Sequence, residues 1–156
     1  MDLHIKNLRD VPHVLPTLAS WHHSMWSYLY PGDTLALRTE RMQSYLAEDF
    51  LPSTFVALWG DEPVGSAAII SCDMETHTHL TPWMASLYVS EQWRQKGIGG
   101  TLVKHITAAC EARGIPRIYL FTPDKRTFYE RLGWECIATP DYHGERVTVM
   151  QRLLAP

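Results

Sequence analysis

The amino-acid sequence predicts a mixed α/β domain, and three observations carry that prediction. Short apolar runs of strand length, such as Thr54–Trp59, Val64–Ser71 and Trp83–Val89, alternate with longer segments whose apolar residues recur three to four apart. The order of these elements, βααβββαβαββ, mixes hairpins with a strand–helix–strand crossover, which sets helices against a mixed sheet. A chain of 156 residues, 46% hydrophobic and 20% charged, suits one domain spanning residues 1–156 with a core of its own.

Leu3–Leu8 alternates apolar and polar side chains and reads as the first strand. Val11–Tyr30 reads as a helix, with Pro12 and Pro16 near its start and Tyr30-Pro31-Gly32-Asp33 as the turn after it. Thr34–Glu48 reads as a second helix, capped by Asp33, with Leu37, Met42, Tyr45 and Leu46 inward. Thr54–Trp59 and Val64–Ser71 form a hairpin through Gly60-Asp61-Glu62-Pro63, and Asp73–Thr81 is a polar loop. After the Trp83–Val89 strand, a helix runs from near Gly97 to Arg113-Gly114, with Ile98, Leu102, Ile106 and Ala109 on one face. Arg117–Thr122 is apolar and aromatic without clean alternation, which suits a central strand buried on both faces. Lys125–Leu132 is a short helix capped by Asp124 and closed by Gly133. Trp134–Ala138 and Arg146–Leu153 are the final strands, joined through Thr139–Gly144.

Composition narrows the function classes. The net charge is −3 and the basic residues are scattered, which removes the electrostatic case for nucleic acid or an anionic membrane. No segment approaches the roughly 20 apolar residues of a membrane span, and the N-terminus lacks a signal-peptide core, so a cytoplasmic protein is expected. Cys72, Cys110 and Cys136 show no C-x-x-C spacing and read as small core residues in a reducing compartment. No metal is expected, since His77-Thr78-His79 has no third ligand at a recognised spacing.

The segment Leu87 to Val103 is the most informative. Strand, polar turn, Arg94-Gln95-Lys96-Gly97-Ile98-Gly99-Gly100 and helix follow in order. Glycines without Cβ let a ligand approach the backbone, and the free N–H groups of a first helical turn favour an anion. The run lacks the G-x-x-x-x-G-K-[ST] of nucleotide triphosphatases and the third glycine of the dinucleotide fingerprint. Arg94 to Gly99 instead resembles the R/Q-x-x-G-x-G/A signature of GCN5-related N-acetyltransferases (GNAT). Phe128-Tyr129-Glu130-Arg131-Leu132-Gly133-Trp134-Glu135 is similar to the F-Y-x-x-x-G-F/W-x element of the same family, and the order of elements matches nearly throughout.

The resemblance implies a GNAT-like fold, a mostly antiparallel sheet of about seven strands with a parallel, splayed central pair. It implies acetyl-CoA as co-substrate, its pyrophosphate on Arg94, Gln95, Lys96, Gly97, Ile98, Gly99 and Gly100 and its pantetheine arm along Leu87, Tyr88 and Val89. Backbone N–H groups are the expected main grip. Tyr129 is the family's general acid, serving the departing thiolate, and a backbone N–H on Ser86–Val89 would meet the carbonyl oxygen. The asparagine that many members carry before this helix is absent, since the region reads Thr122-Pro123-Asp124-Lys125. The base is not identified; Trp83–Val89 holds no carboxylate or histidine. Glu75, His77 and His79 in the preceding loop are candidates to act directly or through water, and Trp26 and Tyr30, from an aromatic-rich first helix, are candidate acceptor contacts together with Glu75 and His77. The expected activity is acetyl transfer to a primary amine, small molecule or peptide, by direct attack in a ternary complex. The alternative is a non-catalytic acyl-CoA sensor of the same fold, and a homodimer is compatible with either.

Overall fold

The computed structural model describes residues 2–155; Met1 and Pro156, which complete the expected 1–156 domain, lie outside the described residues. In chain order the elements are β1 (Leu3–Asn7), α1 (Leu15–Trp26), α2 (Leu35–Met42), β2 (Ser53–Trp59), β3 (Glu62–Ile70), β4 (Trp83–Val89), α3 (Ile98–Ala112), β5 (Arg117–Thr122), α4 (Arg126–Glu130), β6 (Glu135–Ala138), β7 (Asp141–Tyr142), β8 (Glu145–Arg146) and β9 (Thr148–Leu153). Seven strands form one sheet in the order β1-β2-β3-β4-β5-β9-β6, and β7 and β8 make a separate small hairpin. Every neighbouring pair of the large sheet is antiparallel except β4–β5, the parallel central pair expected.

β2 shows how the sheet is sandwiched. Successive side chains of a strand point to opposite faces. Phe55 and Ala57 accordingly join the core under α3 with Leu102, Val103 and Ile106, while Val56 and Leu58 join the core under α1 with Leu15, Leu18 and Ala19. Both faces of β2 are buried, so its sequence reads as an apolar run. Each fully buried Val, Leu or Ile side chain of these clusters contributes roughly 1.5–3 kcal/mol.

The central pair is joined at one point. Trp83 of β4 registers with Tyr119 of β5, and beyond it the strands diverge. Trp83 is fully buried, donates Nε1–H to the Leu80 carbonyl at 2.6 Å and packs on the rings of Tyr119 and Phe121. β4 also carries a bulge. Ser66 pairs with Tyr88 but Ala68 with Ala85, so Ser86 and Leu87 have no partners on β3, and Ser86 is left-handed at φ 57°. Trp83 therefore fixes the apex of a V, and the bulge bends one of its arms.

Several local expectations are corrected. Asp33 does not cap α2; Thr34 does, its Oγ1 accepting the Leu37 N–H at 3.1 Å, while Asp33 pairs with arginines. Asp124 does not cap α4, whose entry is held by Thr122 Oγ1 accepting the Lys125 N–H at 3.0 Å. The two expected N-terminal helices are shorter than predicted and flanked by 3₁₀ turns; Pro12 lies in the 3₁₀ turn before α1, and Pro16 is tolerated in the first turn of α1. Leu37, expected inward, is 41% exposed. Of the three cysteines only Cys110 is buried; Cys72 is exposed, and all three are free. The Thr139–Gly144 connection contains β7, which pairs with β8 in a short antiparallel hairpin. Among the described residues no helix is long and apolar enough to cross a membrane.

Candidate active site

The divergence of β4 and β5 opens a cleft of about 1080 Å³. One end is formed by Arg94, Gln95 and Gly97 to Gly100, the middle by Leu87, Tyr88, Val89, Phe128 and Tyr129, and the other end by side chains of α1, α2 and the loop after β3. A shallower depression of about 330 Å³ beside Thr17, Trp21 and Gln92 gathers no comparable set of reactive groups.

The glycine end is built from backbone. Gly97 precedes α3 at φ 82°, a conformation that favours glycine, and no side chain caps the helix. The first helical bond runs from Thr101 N–H to the Gly97 carbonyl at 3.1 Å, so the N–H groups of Ile98, Gly99 and Gly100 have no acceptor within the helix. A Cβ on Gly99 would meet Phe128 and the Leu87 and Val89 side chains at 3.5–3.9 Å, so the loop is close-packed against the cleft wall. Three unsatisfied donors at the N-terminus of a 15-residue helix fit a phosphate or pyrophosphate. Arg94 is already engaged, its Nε donating to the Val89 carbonyl at 2.8 Å and its guanidinium 5.5 Å from the Tyr88 ring centroid. Gln95, at φ 63°, lines the cleft; Lys96 is exposed and does not.

Tyr129 occupies the middle. α4 is only five residues long, but its Phe128 and Tyr129 rings pack edge to face at 5.0 Å, and Trp134 holds Tyr129 from the other side at 6.0 Å. The phenol is 7% exposed, lines the cleft and bonds no group among the described residues. Burial pushes its pKa up, with the Asp124 charge adding to the shift, so the hydroxyl is held as a hydrogen-bond donor.

The far end is built from side chains. The aromatics of α1 divide by role: Trp21 stacks on Tyr88 at 5.1 Å and Trp26 meets the same ring edge-on at 6.3 Å, while Trp26 also lines the cleft with Met25, Tyr28 and Tyr30. His22, 3% exposed, places Nε2 3.4 Å from Ser66 Oγ beside the β4 bulge. Burial, with the Arg38 charge adding, lowers its pKa to about 4, so it is neutral near pH 7.

Glu75 and His77 lie outside the cleft lining. Glu75 accepts a hydrogen bond from the Tyr142 hydroxyl and lies 2.9 Å from His143 Nε2, tying the loop after β3 to the β7–β8 hairpin. His77 Nδ1 lies 2.8 Å from Thr76 Oγ1.

Three lining residues had no signal in the sequence. Asp73 opens the loop after β3 and forms no ion pair or hydrogen bond among the described residues. Burial raises its pKa to about 7, with the Glu75 charge adding to the shift. Arg38 and Arg41 both reach Asp33 from α2. In sequence, Asp73 begins what reads as a solvated polar loop, and the two arginines look like the exposed face of an amphipathic helix.

The "Acetyltransferase (GNAT) family" model matches residues 15–134. Comparison with curated protein sequences gives no match. Among solved structures, aminoglycoside 6'-acetyltransferase type Ii superposes with a TM-score of 0.76 at 22% identity, covering 100% of this chain and 99% of that one. An aminoglycoside 6'-N-acetyltransferase complexed with coenzyme A superposes at 0.77 and 21% identity, covering 100% and 98%. N-acetylglutamate synthase from Neisseria gonorrhoeae, complexed with coenzyme A and N-acetyl-glutamate, superposes at 0.69 and 16% identity, covering 100% of this chain and 36% of that one. At these identities the likeness to each structure is one of fold, whereas the family match spans most of the sequence: the chain belongs to the GNAT acetyltransferase family.

Proposed function

We propose that the protein is an acetyl-CoA-dependent N-acetyltransferase that acylates a primary amine by direct attack within a ternary complex. One observation carries this reading. The free N–H groups of Ile98, Gly99 and Gly100, the unpaired Tyr129 hydroxyl and the unpaired Asp73 carboxyl all belong to one cleft, which supplies an anion grip, a hydrogen-bond donor and a proton acceptor to the same bound molecules. The complexes of two structural neighbours contain coenzyme A, which supports the donor assignment.

Acetyl-CoA brings an acyl group already activated as a thioester. The α3 N-terminus holds its pyrophosphate, and Leu87, Tyr88 and Val89 offer the edge of β4 to its pantetheine arm. Ser86 and Leu87, which line the cleft and have no partners on β3, offer backbone N–H groups for the carbonyl oxygen as negative charge develops there. The neutral amine attacks the carbonyl carbon, the C–S bond breaks with its electron pair going to sulfur, and the new C–N bond completes the amide. The proton lost by nitrogen passes to Asp73 or to water. Tyr129 faces the sulfur. A phenol whose pKa is raised by burial gives up its proton less readily than a thiol of pKa about 8.5, so Tyr129 acts by hydrogen-bonding the thiolate, with water completing the protonation.

Calorimetry with acetyl-CoA tests the donor half. Wild type is expected to bind, and Gly99→Trp, which fills the space between α3, Leu87 and Phe128, is expected to weaken binding by at least roughly 100-fold. Absence of binding by folded wild type would falsify the acetyltransferase reading. Binding without coenzyme A release on any amine panel would leave a sensor.

A further inference from the structure

The acceptor end of the cleft holds two opposite charges that do not meet. On one side stands Asp73. On the other, Arg38 and Arg41 share Asp33, whose side chain is 1% exposed. Arg38 spends Nε and Nη2 on the same oxygen, Asp33 Oδ2, at 3.2 and 3.1 Å, and its Nη1 has no partner. Arg41 places Nη1 3.1 Å from Asp33 Oδ1, leaving Nε and Nη2 unengaged. Two guanidiniums on one carboxylate leave a net positive charge, with N–H donors to spare. Both arginines line the cleft, and the Arg38 guanidinium lies 5.9 Å from the Tyr30 ring centroid.

Tyr30 and Tyr45 connect the two charges. Burial raises the pKa of each phenol, the Asp73 charge adds to that rise and the Arg38 charge opposes it. Among the described residues, however, no ion pair joins Asp73 to either arginine. Glu145, Asp124 and Lys125 are the other charged groups lining the cleft, and Glu75 stands just outside it. A polycation would satisfy Asp73 and meet an uncompensated guanidinium pair, while a plain anion would be repelled by ionised Asp73. A molecule bearing both an amine and an anion satisfies both.

We infer that the acceptor is a small amine that itself carries a carboxylate or phosphate, its amine seated at Asp73 and its anion on Arg38 and Arg41. The inference rests on the acetyltransferase reading and narrows its substrate. The anion fixes register by bidentate contact with a planar guanidinium and holds the amine against Asp73, which takes its proton. Arg41, the more exposed of the two arginines, can be replaced with little risk to the fold. Arg38 anchors the turn before α2 as well.

Coenzyme A release is measured with matched pairs: amino acids against their carboxamides, and an amino-alkyl phosphate against the corresponding amino alcohol, with a polyamine alongside. Wild type is expected to prefer the anionic member of a pair by about 10-fold or more in kcat/KM. Arg41→Gln should reduce that preference to below about 3-fold, chiefly through a higher KM for the anionic member of each pair, with acetyl-CoA affinity unchanged. Arg38→Gln should do the same, with a thermal melt reporting whether the Asp33 turn has loosened. Equal use of anionic and neutral amines, a preference for the polyamine, or a preference untouched by Arg41→Gln overturns the inference. Acetyl-CoA binding without release by any anionic amine also overturns it, while the donor assignment stands; failure to bind acetyl-CoA removes the parent reading itself.

Discussion

The two ends of the cleft are made of different material. At the glycine end, recognition is backbone: three N–H groups at the start of α3 and a bulge in β4, with Arg94 turned to the Val89 carbonyl and Lys96 exposed. At the acceptor end, the backbone contributes no comparable array, and recognition is left to side chains from α1, α2, the loop after β3 and the β7–β8 hairpin. A backbone site is indifferent to most surface substitutions but fails when bulk is added where a glycine stood. A side-chain site can be re-specified one residue at a time. The arrangement divides labour accordingly: a fixed grip for one donor, and a replaceable wall for the acceptor.

The sharpest break in that comparison lies between the two halves, at Tyr129. If Tyr129 serves the leaving group alone, Tyr129→Phe should lower kcat by roughly 100-fold while leaving the affinity for acetyl-CoA and the KM of the amine within about 3-fold of wild type. Steady-state kinetics with calorimetry of acetyl-CoA would show it. An equal loss of binding would move Tyr129 into the donor grip, and an unchanged kcat would make it a packing residue held by Phe128 and Trp134.

The same division explains what could be read in the sequence. Gly97 announces itself, since a left-handed residue before a helix is most cheaply a glycine, and the Trp83–Val89 strand and α3 fall where periodicity puts them. Local rules suffice for a site made of consecutive backbone. Asp73, Arg38 and Arg41 lie in segments whose local pattern is that of solvent-facing loop and helix, and only the tertiary fold turns them into one wall. Asp33 failed as a cap for a related reason: its neighbour Thr34 does that work, and the arginines of the following turns claim the carboxylate. The bulge at Ser86 left no mark either, because a serine at positive φ follows from pairing with β3 rather than from its own preference.

A side-chain site also carries a stability cost that a backbone site does not, and Asp73 measures it. Its pKa is raised to about 7 by burial, so the folded protein holds the carboxyl proton more tightly than the unfolded chain does. Stability is therefore greatest below the ordinary carboxylate pKa and falls as pH rises through 7. A shift of about three units corresponds to at most about 4 kcal/mol, and less for a group that opens into a wet cleft. Asp73→Asn should thus melt several degrees above wild type at about pH 8 and match it near pH 4, and it should lose amine turnover at about pH 8, where the wild-type carboxylate is ionised. A variant less stable than wild type at high pH would show that Asp73 is structurally paired and would remove it from the acceptor site.

The smallest effect lies where the two ends are joined. His22 of α1 places Nε2 against Ser66, the residue that pairs with Tyr88 at the edge of the bulge, so one imidazole couples the acceptor helix to the donor strand. Its folded pKa of about 4 lies below the ordinary histidine value of 6.5, so the unfolded chain takes up the proton first. The stability of the neutral form is complete above pH 6.5 and drains away as pH falls through 4, a loss of up to about 3 kcal/mol across that window. The Asp73 contribution runs in the opposite direction, so denaturant melts on Asp73→Asn isolate the histidine. In that background His22→Gln should flatten the slope between about pH 6.5 and 4 by about one proton, because glutamine does not titrate and can still bond Ser66. An unaltered slope would assign the acid sensitivity to other groups and leave His22 as packing alone. A flattened one would make the joint between the two halves the first part of the site that acid loosens.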